Sequence, residues 1–280
     1  MSNKKLTAFA ICVLLFAVCA SIIGYRWALH IRNAGQMETI QQEAFADTSS
    51  DASASQEQPA VAGASRNCES NDVISVSTAA DTKKVDFKKL QASNPDLFAW
   101  IRIPDTSVDY PVAQHPSDDT YYLNHGADGI YSEYGCPYIE QADGQSFTEF
   151  NTVIYGHNMN DGSMFGALHK FEDADYLQQH RELLVYTPEH TFTYQIFAAV
   201  MYSDKHIPYY YDDSSEEDRT AFLKSLQTDI VKKRSQYLKD VKVTAQDHIL
   251  TLSTCDRKLR SNRYLVVAVM TQVDGTSVNK

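Results

Sequence analysis

A cysteine placed where a strand runs out, beside a cluster of cations, is the feature of this chain best suited to covalent chemistry. Residues 248–254 are dense in β-branched and apolar side chains, and Cys255 follows as that run ends. The loop 256–262 carries Arg257, Lys258 and Arg260 against Asp256, and a second apolar run opens at Arg263 and continues to Thr271. The thiolate is the nucleophilic form of cysteine; nearby positive charge favours it, and apolar surroundings push the thiol the other way. Cys255 therefore reads as an activated nucleophile, with a small buried hydrophobe at the end of a core strand as the plain alternative. His157 is a second reactive type, placed after the strand-like run 152–155 and before the loop-forming NMNDG at 158–162. With nine histidines in the chain, position alone does not separate it from a surface or core residue.

The elements that must position these residues are mostly short strands. Strand-like runs occur at 98–104, 108–113, 120–123, 137–140, 152–155, 182–187 and 191–202, ahead of the two around Cys255. In the run from Thr191, Phe192, Tyr194 and Ile196 alternate with polar neighbours, the period of a half-buried strand. Many short strands with turns between them predict a mainly β domain with helices, of barrel or sandwich type. A short helix is expected from Asp81 or Thr82 to Ala92 with Val85 and Leu90 inward, ended by NPD at 94–96. Two helical insertions follow, at 163–180 and 214–234. The second opens with Ser214 and Glu217 in capping-box spacing, sets Phe222, Leu226 and Ile230 on one face, and ends on Lys232, Lys233 and Arg234, as a helix dipole prefers.

TLSTC at 251–255, followed by an arginine opening the next strand, resembles the TLxTC signature of the sortases, cysteine transpeptidases of Gram-positive cell surfaces. VIYGHNMNDGSMF at 153–165 supplies His157 in that family's histidine context, and Arg263 fits its arginine. The run NPDLFAWIRIPDTSVDYPVAQ at 94–114, then YYLNH at 121–125, and the long helix ahead of the cysteine strand are similar to class B sortases. Class A members lack that helix, and the lid segment of class C pilus enzymes has no counterpart here. The resemblance covers residues 81–272. It implies a closed β-barrel of about eight strands, with an N-terminal helix and a long helix before the cysteine-bearing strand.

It also implies roles. Cys255 would attack the carbonyl of a threonine in a sorting signal to form a thioester. His157 would pass protons to and from the amines, and Arg263 would stabilise the oxyanion or position the peptide. Ser253, Thr254, Leu123 and Asn124 would contact the substrate. Partners would be sorting-signal-bearing surface proteins or pilins, with an amine of the cell-wall precursor or a pilin lysine as acceptor.

The N-terminal part reads differently. Leu6 to Ile23 contains no charged residue, and with the run extended to Tyr25 it is about 20 residues, roughly 30 Å as a helix, enough to cross a bilayer. Val18-Cys19-Ala20 offers a possible cleavage site, but the length favours a retained anchor. Cys19 makes a poor lipidation site because Val18 precedes it. The expected organisation is a cytoplasmic tail at 1–5, a membrane helix at 6–25, an extracellular stalk at 26–80, the catalytic domain at 81–275 and a tail at 276–280. The charge asymmetry is weak, with Lys4 and Lys5 before the helix and Arg26 and Arg32 after it. The extracellular placement therefore follows from the resemblance. A short helix is expected at 36–45, then a Ser/Ala-rich polar tract at 47–65 that reads as a spacer.

Composition closes other routes. A net charge of -11 speaks against nucleic acid, and no CxxC, HExxH or P-loop pattern points to a metal or nucleotide cofactor. The five cysteines fall at Cys12 and Cys19 in the membrane helix, Cys68 in the stalk, and Cys136 and Cys255 in the domain, which does not suit a disulfide framework. Cys136 is expected to be buried and unpaired. Two further readings stay open: a hydrolytic cysteine protease, and a surface peptide-binding β-domain in which Cys255 is structural.

Overall fold

The computed structural model describes residues 3–45, 85–256 and 261–278. The expected spacer at 47–65, Cys68, the helix start at Asp81 or Thr82, and the loop cations Arg257, Lys258 and Arg260 lie outside the described residues.

Among the described residues nine strands form one sheet: β1 (Leu97–Arg102), β2 (Asp109–Ala113), β3 (Asn151–Tyr155), β4 (Glu182–Tyr186), β5 (Thr191–Ser203), β6 (Gln236–Tyr237), β7 (Ile249–Cys255), β8 (Asn262–Val273) and β9 (Thr276–Ser277). The main path runs β2-β1-β4-β5-β8-β7-β3, with β6 paired to β5 and β9 to β8. All pairings are antiparallel except β3 with β7. The sheet curls until its outer strands meet through residues 137–139. Ala113 donates to the Pro137 carbonyl at 2.9 Å and Ile139 to that of Ala113 at 3.0 Å, while Tyr138 and Tyr155 exchange bonds of 3.0 and 2.8 Å. This is the helix-decorated α+β barrel expected.

Alternation along β7 and β8 assigns a face to each residue. Leu250 and Leu252 join Tyr264, Val266, Ala268 and Met270 in the barrel interior. Ile249 and Leu265, Val267 and Val269 point outward, into a second core beneath Phe222 and Leu226 of a helix that covers this face. By the same count Ser253, Cys255 and Arg263 lie on the outer face.

Five α-helices are described: α1 (Asn3–Phe45), α2 (Phe87–Ser93), α3 (Ala174–Gln179), α4 (Ile207–Tyr210) and α5 (Glu216–Thr228). Asp86 caps α2 by accepting from the Lys89 amide at 3.1 Å, and Phe87 and Leu90 anchor it. Several local expectations are corrected. α5 is capped by Ser215, whose hydroxyl accepts from the Asp218 amide, rather than by a Ser214–Glu217 box, because Ser214 is engaged with Asp212. It stops at Thr228, so Ile230 bridges to Tyr202 instead of extending the helical stripe, and Lys232 to Arg234 form a separate 3-10 turn. Residues 121–123 are a 3-10 turn rather than a strand, since the Asp118 carboxylate takes both the amide and hydroxyl of Thr120 and turns the chain. The run 137–140 contributes only single bridges, at Tyr138. The helix expected at 36–45 is the end of the continuous α1, and residues 276–277 form β9 rather than a tail.

Candidate active site

Two ladders bring the sequence candidates together. In the antiparallel β7–β8 pair Cys255 stands directly opposite Arg263; directly opposed residues share a face, with Cβ atoms about 4.5–5.5 Å apart. In the parallel β3–β7 pair Tyr155 stands beside Ser253. Parallel strands finish at the same end, so His157, two residues past Tyr155, emerges beside Cys255, two past Ser253. A Gly156 amide bond to the Ser253 carbonyl (3.1 Å) and a Thr254 hydroxyl bond to the Gly156 carbonyl (2.7 Å) carry that register to the mouth of the site.

There the residues line one cavity of about 260 Å³. Cys255, His157, Arg263, Ser253, Thr254 and Leu123 all border it, and Cys255 is exposed. Leu123 has a second use, because its carbonyl lies 2.7 Å from His157 Nε2. That contact fixes the imidazole when Nε2 carries the proton, leaving Nδ1 as the acceptor. Asn124 is exposed and outside the cavity lining; its backbone carbonyl accepts from Ser132. The far wall comes from the β5–α4 connection, where His206 Nε2 lies 2.8 Å from Glu140 Oε1. Tyr138 and Tyr155 stack at 5.6 Å between their ring centres on the floor, and burial pushes both phenols well above their ordinary range. Gly135 closes in from the side. Its φ of 61° suits glycine, and a Cβ there would stand 2.4 Å from the Tyr122 carbonyl oxygen and 3.3 Å from His157 Cδ2.

Behind the cysteine lies a polar chain that sequence reasoning missed. Asn158 Nδ2 donates to the Cys255 carbonyl at 2.7 Å and lies 2.8 Å from His169 Nε2. His169 Nδ1 is 2.9 Å from Glu172 Oε1. Arg234 grips Glu172 through two bonds of 2.9 and 2.6 Å and reaches Asp256 Oδ2 at 2.8 Å. With Asn158 donating on both sides, His169 Nε2 is the acceptor and Nδ1 holds the proton toward Glu172. Burial alone would raise the Glu172 carboxyl, but the hydrogen bonds from Arg234 and His169 outweigh it and hold it below its usual range. Asp256 is 2% exposed, and Arg234 is a cation that balances its charge. Asn158, directly after His157, was within reach of the sequence argument. Arg234 was not, since its basic neighbours already had a simpler explanation. Cys136 is buried and free, and burial pushes its thiol upward, which makes it an inert core residue.

Residues 101–271 match the sortase domain family. Sortase B of Listeria monocytogenes is 36% identical over 171 residues, covering 61% of this chain and 67% of the relative. Sortase B of Staphylococcus aureus is 28% identical over 189 residues, covering 67% and 75%. Among solved structures, sortase B of Bacillus anthracis in complex with AAEK1 superposes with a TM-score of 0.56 at 34% identity, over 66% of this chain and 83% of that one. A Staphylococcus aureus sortase B–substrate complex gives a TM-score of 0.58 at 26% identity, over 69% and 85%. A curled sheet with these relatives defines a cysteine transpeptidase. The chain belongs to the sortase family, and within it to class B.

Proposed function

We propose that the chain is a membrane-anchored enzyme that cuts a C-terminal sorting signal after threonine and transfers the acyl group to an amine on the cell surface. One observation carries the reading: Cys255 and Arg263 face each other across a ladder while His157 leaves the neighbouring strand at the same end, all in one cavity. Cys255 Sγ passes its proton to His157 and attacks the threonine carbonyl carbon, and Arg263 meets the oxyanion as it develops. As the intermediate collapses, the C–N bond breaks, His157 gives a proton to the departing amine, and a thioester remains. The acceptor amine then attacks that thioester, His157 takes its proton, and the sulfur leaves. The apolar N-terminal helix would hold the domain outside the membrane with the N-terminus in the cytoplasm. The reading takes the cell-wall precursor as acceptor, with a pilin lysine as the competing amine.

Incubation of the enzyme with sorting-signal peptides, with and without an added amine, followed by mass spectrometry, tests this. Amide product and a trapped thioester on Cys255 are expected. Free acid alone in the presence of amine would identify a hydrolase, and turnover retained by Cys255→Ala would refute the assignment.

A further inference from the structure

The N-terminal helix does not end where its apolar stretch does. It continues to Phe45 and lays one stripe, Arg26, His30, Asn33, Met37, Ile40 and Ala44, along the catalytic domain at the spacing of a single helical face. The contacts are specific. Arg26 lies 3.9 Å from Glu133, His30 Nδ1 2.7 Å from the Tyr134 hydroxyl and 3.2 Å from Asp161. Arg32 donates to the Tyr131 carbonyl at 2.9 Å, the Ser132 hydroxyl to Asn33 Oδ1 at 3.1 Å, and Gln41 to the Asp109 carbonyl at 2.9 Å. Ala44 is buried, and Phe45 meets Trp100 edge-on at 5.3 Å.

These contacts set a height. The apolar run stops at Tyr25, and at a rise of about 1.5 Å per residue Arg26 to Arg32 occupy roughly the first 10 Å beyond it. The headgroup layer on each side of a bilayer is roughly 5–8 Å deep. Glu133, at Arg26, therefore lies within headgroup depth, while Tyr131 and Ser132, held by Arg32 and Asn33, stand at its outer edge, within a side chain's reach of it. The largest side chains there are uncovered, Ile130 at 56% exposed and Tyr131 at 59%. On the helix beside it Trp27, 67% exposed, and Tyr25, 64%, are also uncovered. Trp and Tyr prefer this boundary because each joins an apolar ring to a polar tip. The loop tip is held rigidly. The Ile130 amide donates to Asp128 Oδ1 at 2.9 Å, Gly126 donates to the Ile130 carbonyl at 2.9 Å, and Gly129 takes a positive φ of 71° in the turn.

We propose that Ile130 and Tyr131 insert into the phospholipid headgroup layer and, with Trp27 and Tyr25, form a second membrane contact that seats the catalytic domain on the lipid surface. The proposal rests on the reading that the N-terminal helix spans the bilayer. The charges around the tip, Asp128, Glu133 and Asp161 against Arg26 and Arg32, are of mixed sign, so zwitterionic lipid suffices as partner.

The chain has two tryptophans, Trp27 and the fully buried Trp100, which suits a depth measurement by fluorescence. The full chain is reconstituted in phosphatidylcholine vesicles brominated near the headgroup and compared with unbrominated ones. In wild type, Trp27 reports the helix; in Trp27→Phe/Ile130→Trp the new indole reports the loop, with Trp27→Phe/Tyr131→Trp as an independent probe. Loss of emission with brominated lipid is expected for wild type and for both loop variants. Quenching in wild type with unchanged emission at positions 130 and 131 would overturn the lipid seat while leaving the anchor intact. No quenching in any of them would remove the anchor, and the seat with it.

Discussion

The side-chain amide of Asn158 donates to the backbone carbonyl of Cys255 across 2.7 Å, tying the residue after the histidine to the residue that carries the thiol. Asn158→Ala removes that donor and the partner of His169 together. A lost hydrogen bond costs about 1 kcal/mol, more if the carbonyl is left without water. The expected result is a lower kcat with KM little changed and slower alkylation of Cys255. An unchanged alkylation rate would show that the bond does not position the thiol.

Arg263→Lys keeps the charge and discards the planar fork. If the guanidinium meets the oxyanion, turnover should fall by about 100- to 1,000-fold, the effect of losing one such donor, while the melting temperature stays near wild type. Transpeptidation and circular dichroism on the same preparation check both halves.

Gly135→Ala places a methyl group 2.4 Å from the Tyr122 carbonyl in a backbone conformation that L-residues disfavour. A destabilisation of about 2–4 kcal/mol is expected, read from urea unfolding. Because the same methyl approaches the His157 ring, activity should drop further than the folded fraction does.

Asp143 is a buried carboxyl, 5% exposed, accepting from the Val153 amide at 3.2 Å. Burial, reinforced by the negative charges of Asp213, Glu140 and Glu149, pushes it up to about 8. A folded-state value above the unfolded one means that ionisation opposes folding: the penalty is absent below about pH 4, grows as pH rises, and is complete above about pH 8. Asp143→Asn keeps an acceptor for Val153 and removes the charge. It should be more stable than wild type at pH 8, by on the order of 2 kcal/mol, with the gap closing toward pH 4 in paired urea titrations.

Arg234→Met removes a cationic partner of buried Asp256 and of Glu172. Arg234 is itself partly exposed, so the cost is expected at about 1–3 kcal/mol, below that of a fully buried pair. Adding Asp256→Asn should recover part of it. A double variant no more stable than the single one would show that the two charges are not coupled.

Much of the layout of the cavity was legible because it rests on short-range pattern. The apolar runs ending at Cys255 and beginning at Arg263 are β7 and β8, and the alternation from Thr191 is β5. The segment 137–140 has a composition that suits a strand, although a single bridging residue at Tyr138 does its structural work. β-propensity at 120–123 lost to the hydrogen bonds of Asp118, a competition that propensity alone does not weigh. The chain from Asn158 through Arg234 to Asp256 depends on tertiary proximity between segments with no shared periodicity. So does the packing of residues 26–44 on the domain, which a reading of that region as a linker passes over.

The parallel pairing of β3 with β7 also bears on when the enzyme acquires its chemistry. Asn158 and Cys255 are 97 positions apart in the chain, so a long loop must close before their ends can meet. A polypeptide still being synthesised carries His157 with no Cys255 beside it, and assembly waits for the last long strand. On the proposed chemistry, the order of synthesis thereby keeps the unfinished molecule inert.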